Sequence, residues 1–266
     1  MIRGFLTILI LIAAVGLKGQ SLVTDLIDSY PSQASTPELE SLLEHHIQKL
    51  LKLQLKSKTQ SDFVEKTFYY LHQRVFKSYV PYSQFNELLE TGSYDCLSAT
   101  ALFAVIFERF NVPVTIKETN YHIFLTVESE NESILIETTD GTNGFVKNRK
   151  EIEARLELYQ QNVLANLTQN HYLYQAQIFQ PITSSQLVGL LYFNQAVREY
   201  NKKNLWGCAK SLDESITRYA NPRTEELAVI LFHSASSSKL DESQKQELLS
   251  RYQKYLKRVN PVLAAR

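Results

Sequence analysis

The sequence predicts an α+β fold, a central helix packed on an antiparallel sheet, followed by an all-α region of helical hairpins. Three observations carry that prediction. Leu97 to Phe110 is apolar or small on nearly every side, and a helix without a polar face belongs in the middle of a domain. Three segments rich in β-branched residues follow it in succession, Val112 to Glu118, Tyr121 to Val127 and Ser133 to Thr139. Beyond Gly144 the strand pattern gives way to amphipathic helical spacing that continues to the C-terminus. Helix and then strands in a row is the order of an α+β domain, not of alternating βαβ units.

Residues 1–20, MIRGFLTILILIAAVGLKGQ, read as an export signal: a positive Arg3, an uncharged apolar stretch from Phe5 to Leu17, and a small-residue exit at Gly19–Gln20. At about 1.5 Å per residue that stretch covers about 20 Å of a roughly 30 Å hydrocarbon core, short for a span. The mature protein is therefore expected to be periplasmic or secreted, with no stable membrane span once the signal is removed. Residues 21–145 form the predicted mixed domain. Leu39 to Leu55 and Phe63 to Tyr79 carry apolar residues at helical spacing, with Thr36 and Ser61 available as N-caps. Pro81 and Gly92 bracket what reads as an irregular connection, YSQFNELLETG. The central helix then begins behind Ser93 or Asp95 as its cap, leaving Cys96 in the first turn.

The second and third strands are split by the polar turn ESENE. A hairpin centred between Glu130 and Asn131 pairs residues whose numbers sum to 261, setting Phe124 opposite Glu137 and His122 opposite Thr139. Glu137 then lies diagonal to His122 on the same face, and Asp140 has the opposite parity. DGTNG, dense in turn residues, closes the third strand. Residues 146–183 read as a helical linker, with a helix from Lys150 to Leu167 interrupted later by Pro181. Residues 184–266 read as four amphipathic helices, Ser185–Asn201, Leu205–Tyr219, Thr224–Ser236 and Asp241–Val259. With Tyr200 and Ala209 near the expected positions and Pro222 about one residue displaced, this region resembles a tetratricopeptide array.

Composition narrows the function classes. Lysine plus arginine equals aspartate plus glutamate at 28 each, so no overall field draws the chain to nucleic acid, and nucleic-acid binding is not expected. Two cysteines make no disulfide framework, and nothing in the spacing asks for a Cys96–Cys208 bridge. HExxH, CxxC and a phosphate-cradling glycine loop are all missing from a chain with only eight glycines, so no cofactor or metal is expected. His45 and His46 are adjacent on a helix and point to different faces, which suits solvent better than a metal. Cys208, among Leu205 and Leu212, reads as core.

Cys96 has two readings: a small buried hydrophobe, or a thiol activated by the unpaired N–H groups and positive dipole end of a helix N-terminus. The second needs a base and an orienting group. His122 is the candidate base and Glu137 the candidate carboxylate, giving a nucleophile, a base and an orienter that converge from distant parts of the sequence. The run YDCLSATALFAVIFERFNVPV…YHIFLTV…ILIETTDG resembles the transglutaminase-like superfamily of papain-like cysteine enzymes, over roughly Phe63 to Phe145. The resemblance implies a papain-like core in which Cys96 is the nucleophile, His122 the general base and acid, and Glu137 the residue orienting the imidazole. The family's third position is commonly aspartate, and Asp140 is the alternative third member. The implied reaction is acyl transfer through a thioester, on a protein or peptide substrate, ending on water or on an amine. The competing expectation is a catalytically inactive core serving as a scaffold, with a protein partner on its C-terminal helices.

Overall fold

The computed structural model describes residues 22–119, 122–129, 132–169 and 179–259. The export signal read at residues 1–20 lies outside them. The chain is a mixed α+β protein that forms two compact units. One comprises the chain up to Ile116 together with Phe124–Lys147; the other comprises Lys117–Ile123 and the chain from Asn148 onward.

The first unit opens with α1 (22–28), α2 (Thr36–Gln54) and α3 (Gln60–Arg74). The caps differ from those expected at Thr36 and Ser61. Ser35 caps α2 and its N–H donates to Glu38 Oε2 at 2.7 Å, while Thr59 caps α3 and its Oγ1 accepts from the Asp62 N–H at 3.1 Å. Each helix therefore starts earlier, and Ser61 is buried, with its hydroxyl donating to Glu132 at 3.2 Å. Helix α3 also stops short of Tyr79. The backbone beyond it finds partners elsewhere: Lys77 N–H donates to Gly92 O at 2.9 Å, and β1 (Ser78–Tyr79) pairs in parallel with β2 (Ser93–Tyr94).

The connection expected to be irregular contains a helix, α4 (Phe85–Thr91). Gln84 caps it, its N–H donating to Glu87 Oε2 at 3.0 Å, and Phe85, Leu88 and Leu89 are buried. Gly92 ends it with φ at 80°, a left-handed conformation, where an added Cβ would lie 2.5 Å from Val75 O. Helix α5 (Cys96–Arg109) follows, buried at every position from Leu97 to Phe107. Its all-round apolar surface places it at the centre of this unit, as the sequence predicts.

Behind α5 come β3 (Val114–Glu118), β4 (Ile123–Ser129), β5 (Glu132–Ile136) and β6 (Phe145–Val146), side by side in the order β6-β5-β4-β3. The β4–β5 hairpin is antiparallel, with Leu125 opposite Ile136, Val127 opposite Ile134 and Ser129 opposite Glu132. Every pair sums to 261, the register expected from a hairpin centred between residues 130 and 131. Burial is unbroken from Ile123 to Val127, so β4 is covered on both faces. The two-residue strand β6, antiparallel to β5, has no counterpart in the sequence reading.

The second unit takes in the end of β3, the Thr119–His122 turn, α6 (Arg149–Gln169), β7 (Gln180–Ile182) and four helices: α7 (Ser184–Asn201), α8 (Leu205–Arg218), α9 (Pro222–Ser236) and α10 (Glu242–Val259). β7, which carries Pro181, lies beside β3. Thr183, Asn204 and Asn221 cap α7, α8 and α9, each accepting from a first-turn N–H. The helices share a core that includes Ala196, Cys208, Leu212, Leu231 and Tyr252. Gly189 lets α7 and α8 approach closely: its carbonyl accepts from Ser215 Oγ at 2.7 Å, and an added Cβ would sit 3.0 Å from Arg218 Cβ. Among the described residues, no helix is long and apolar enough to cross a membrane.

Candidate active site

Cys96 is the first residue of α5, in no disulfide and partly exposed. Of the two caps considered, Asp95 is the one used. Its Oδ1 accepts from the Ser98 N–H at 2.8 Å and from Ser98 Oγ at 3.0 Å, while its own N–H donates to Ser98 Oγ at 2.9 Å. Ser93 lies in β2 instead. Asp95 is buried, so this capping box fixes the helix start, and with it the Cα–Cβ direction of Cys96. The first-turn N–H groups have no intrahelical acceptor, which makes this end of α5 favourable to negative charge.

The same turn is tied to the end of the acidic strand. Thr138 Oγ1 donates to the Cys96 carbonyl at 3.3 Å and lies 3.3 Å from Thr100 Oγ1 on the next turn of α5. Both threonines are fully buried. Glu137, the residue before Thr138, is itself buried, and its Oε1 accepts from Thr139 Oγ1 at 3.0 Å. The structure thus brings Cys96 together with the Glu137–Thr138 segment, 42 residues apart in the chain. Neither threonine stood out in the sequence, because a buried hydroxyl pair has no periodic or spacing signature.

Asp140 is committed to a turn. Its Oδ1 accepts from the backbone N–H groups of Thr142 at 3.1 Å and Asn143 at 2.8 Å, and its carbonyl accepts from the Gly144 N–H at 2.8 Å. Gly144 is required there, since an added Cβ would fall 2.2 Å from Glu137 O and 2.3 Å from Asp140 O. His72 lies beside this turn, its Nδ1 2.9 Å from where a Cβ on Gly141 would stand, and its ring centroid is 4.5 Å from that of Phe68. Burial lowers the His72 pKa, and the Asp140 charge opposes that in part. The sequence offered no reason to connect His72 to this region.

His122 is half-buried and precedes β4 by one residue, in the second unit. Its N–H donates to Thr119 Oγ1 at 3.1 Å, its carbonyl accepts from the Thr119 N–H at 2.8 Å, and its ring meets Tyr159 of α6 with centroids 4.7 Å apart.

Tyr79 and Tyr94, on the paired strands β1 and β2, lie in the first unit with Cys96. Tyr79, 57% exposed, meets Tyr94 edge-on at 6.0 Å, and Val80 N–H donates to Tyr94 O at 2.8 Å. Partial burial raises the Tyr79 pKa, and the negative potential of Cys96 and Asp95 raises it further. Asn86 ties α4 to the start of the chain: its Nδ2 donates to Ile27 O at 2.9 Å and Tyr30 O at 2.7 Å. Gln84 Nε2 donates to Tyr82 O at 3.2 Å. Cys208 is the opposite of Cys96, fully buried, its pKa pushed up to about 12 by burial and then by Glu199 and Asp213. No family model, curated protein or solved structure matches this chain.

Proposed function

We propose that the chain is an exported cysteine-dependent acyl-transfer enzyme with a transglutaminase-like core, acting on protein or peptide amides. Cys96 is the nucleophile, His122 the general base and acid, and Glu137 the carboxylate that orients the imidazole. The observation that carries the reading is the Thr138 hydrogen bond to the Cys96 carbonyl, which brings the Glu137 strand end to the start of the cysteine helix. The hairpin register supports it: the paired ladder ends at Leu125 opposite Ile136, and continuing the same numbering by one residue would set Phe124 opposite Glu137, with His122 on the parity of Phe124.

In this mechanism His122 takes the thiol proton as sulfur attacks the amide carbonyl and the C–S bond forms. The Cys96 backbone N–H, at the start of α5, is the natural donor to the oxyanion. Collapse breaks the C–N bond, the imidazolium gives its proton to the leaving amine, and a thioester remains. Water or a second amine, deprotonated by His122, then attacks the thioester, and the thiolate leaves. The tetratricopeptide-like helices position substrate or a partner protein.

Iodoacetamide labelling tests the reading in the full chain. Cys96 should alkylate at least about 100-fold faster than Cys208 at neutral pH, since a pKa of about 12 leaves Cys208 roughly 10³-fold less thiolate than an ordinary thiol. His122→Ala should slow Cys96 by about 10-fold or more. Equal, sluggish labelling of both cysteines would leave the inactive scaffold, with partner binding on the helices, as the better account.

A further inference from the structure

We infer that Arg223 and Tyr219, acting through Glu118 and Thr119, are positioning residues for the His122 imidazole, so that the helical region holds the general base in place. The inference rests on the function proposed above, and its structural basis lies wholly within the second unit.

Glu118 is only 4% exposed at the end of β3, where a carboxylate needs directional partners. It has two. The Tyr219 hydroxyl donates to Oε2 at 2.7 Å, and Arg223 Nη2 lies 3.2 Å from Oε1. Both partners come from the junction of α8 and α9: Tyr219 is the C-cap of α8, and Arg223 is the second residue of α9, behind the Asn221 cap. Arg223 Nη2 also donates to the Thr119 carbonyl at 2.7 Å. Thr119 in turn makes both backbone bonds to His122, donating from its own N–H and accepting at its Oγ1. An unbroken set of hydrogen bonds therefore runs from the head of α9 to the backbone of His122, and the ring beyond it packs on Tyr159.

The division of the chain supports the same conclusion. Lys117–Ile123 is grouped with the helices, although the strand residues on either side of it, Ile116 and Phe124, belong to the first unit. Burial raises the Glu118 pKa despite both partners, so the carboxylate is an expensive way to fasten a strand. What it supplies that an apolar contact does not is direction: two bonds to one side chain, with the same guanidinium nitrogen on the next carbonyl, define both position and rotation of the segment.

The test reads His122 directly. In the full chain, histidine ring NMR signals are recorded, six in all, with His122→Gln identifying the relevant one. Arg223→Ala should move the His122 signal away from its position beside the Tyr159 ring and slow Cys96 alkylation about 10- to 100-fold, as expected when a reacting group is displaced. Arg223→Lys, which keeps a cation for the same two oxygens, should restore most of both. A folded Arg223→Ala protein with an unmoved His122 signal overturns the inference. If that variant does not fold, Tyr219→Phe removes a single hydroxyl and is read in the same way, an unmoved signal again being decisive against it. Should Cys96 of the unmutated chain label no faster than Cys208, the proposed reaction fails, yet the His122 signal still decides the positioning role.

Discussion

Asp95 does two opposing things to Cys96. It closes the start of α5 through three hydrogen bonds with Ser98, two accepted by its carboxylate and one donated by its backbone N–H, which fixes the turn that presents the thiol. It also places a negative charge one residue from the sulfur, and like charge disfavours the thiolate. Asp95→Asn separates the effects, because asparagine caps about as well as aspartate and carries no charge. The expected outcome is an unchanged melting temperature, with the pH dependence of Cys96 alkylation displaced to lower pH. A profile that stays in place would show that the carboxylate acts only as a cap. Thr138 illustrates a different dependence: its bond to the Cys96 carbonyl is long for a hydroxyl donor at 3.3 Å, yet a buried hydroxyl must have an acceptor, and this one joins the two segments that matter most.

Helix α4 was invisible to pattern reading because seven residues, FNELLET, are too few for a helical period to emerge. Its determinants are nevertheless local: the Gln84–Glu87 capping box at one end and left-handed Gly92 at the other. Gly92 also accepts at its carbonyl from the Lys77 N–H, bringing the end of α3 beside β2. Gly92→Ala is expected to destabilise the protein by roughly 1–3 kcal/mol in urea unfolding, from the φ of 80° and the 2.5 Å approach to Val75 O together. A neutral substitution would mean that the α3–α4 junction relaxes freely. The β4–β5 hairpin is the contrary case. Its register was legible because the polar run ESENE separates two apolar segments, and a reversal centred on that run pairs residues whose numbers sum to 261.

For the whole molecule, two half-buried histidines make stability depend on acid. His72 and His46 both have pKa values lowered chiefly by burial, with His45 adding repulsion at His46. A pKa below the unfolded value means that the unfolded chain binds the proton more tightly. Stability from this source is therefore complete above about pH 6.5 and falls as pH drops through the unfolded pKa toward the folded one. Urea midpoints should decline from pH 7 to pH 5, and His72→Gln should flatten the decline; an equally steep fall in that variant would place the acid sensitivity elsewhere. The amino-acid sequence by itself determined the α+β order, the central position of α5, the four C-terminal helices and the pairing of β4 with β5. Those follow from periodicity, all-round apolarity and the place of the polar run between two apolar segments, which are properties of neighbouring residues. Only the tertiary structure decided that Thr138 bonds to the Cys96 carbonyl, that Asp140 is taken up by its own turn, that Glu118 takes Tyr219 and Arg223 as partners, and that Arg223 also donates to the Thr119 carbonyl. Such contacts join residues up to 104 positions apart, and the burial that makes a lone hydroxyl or carboxylate seek one particular partner exists only once the chain has folded.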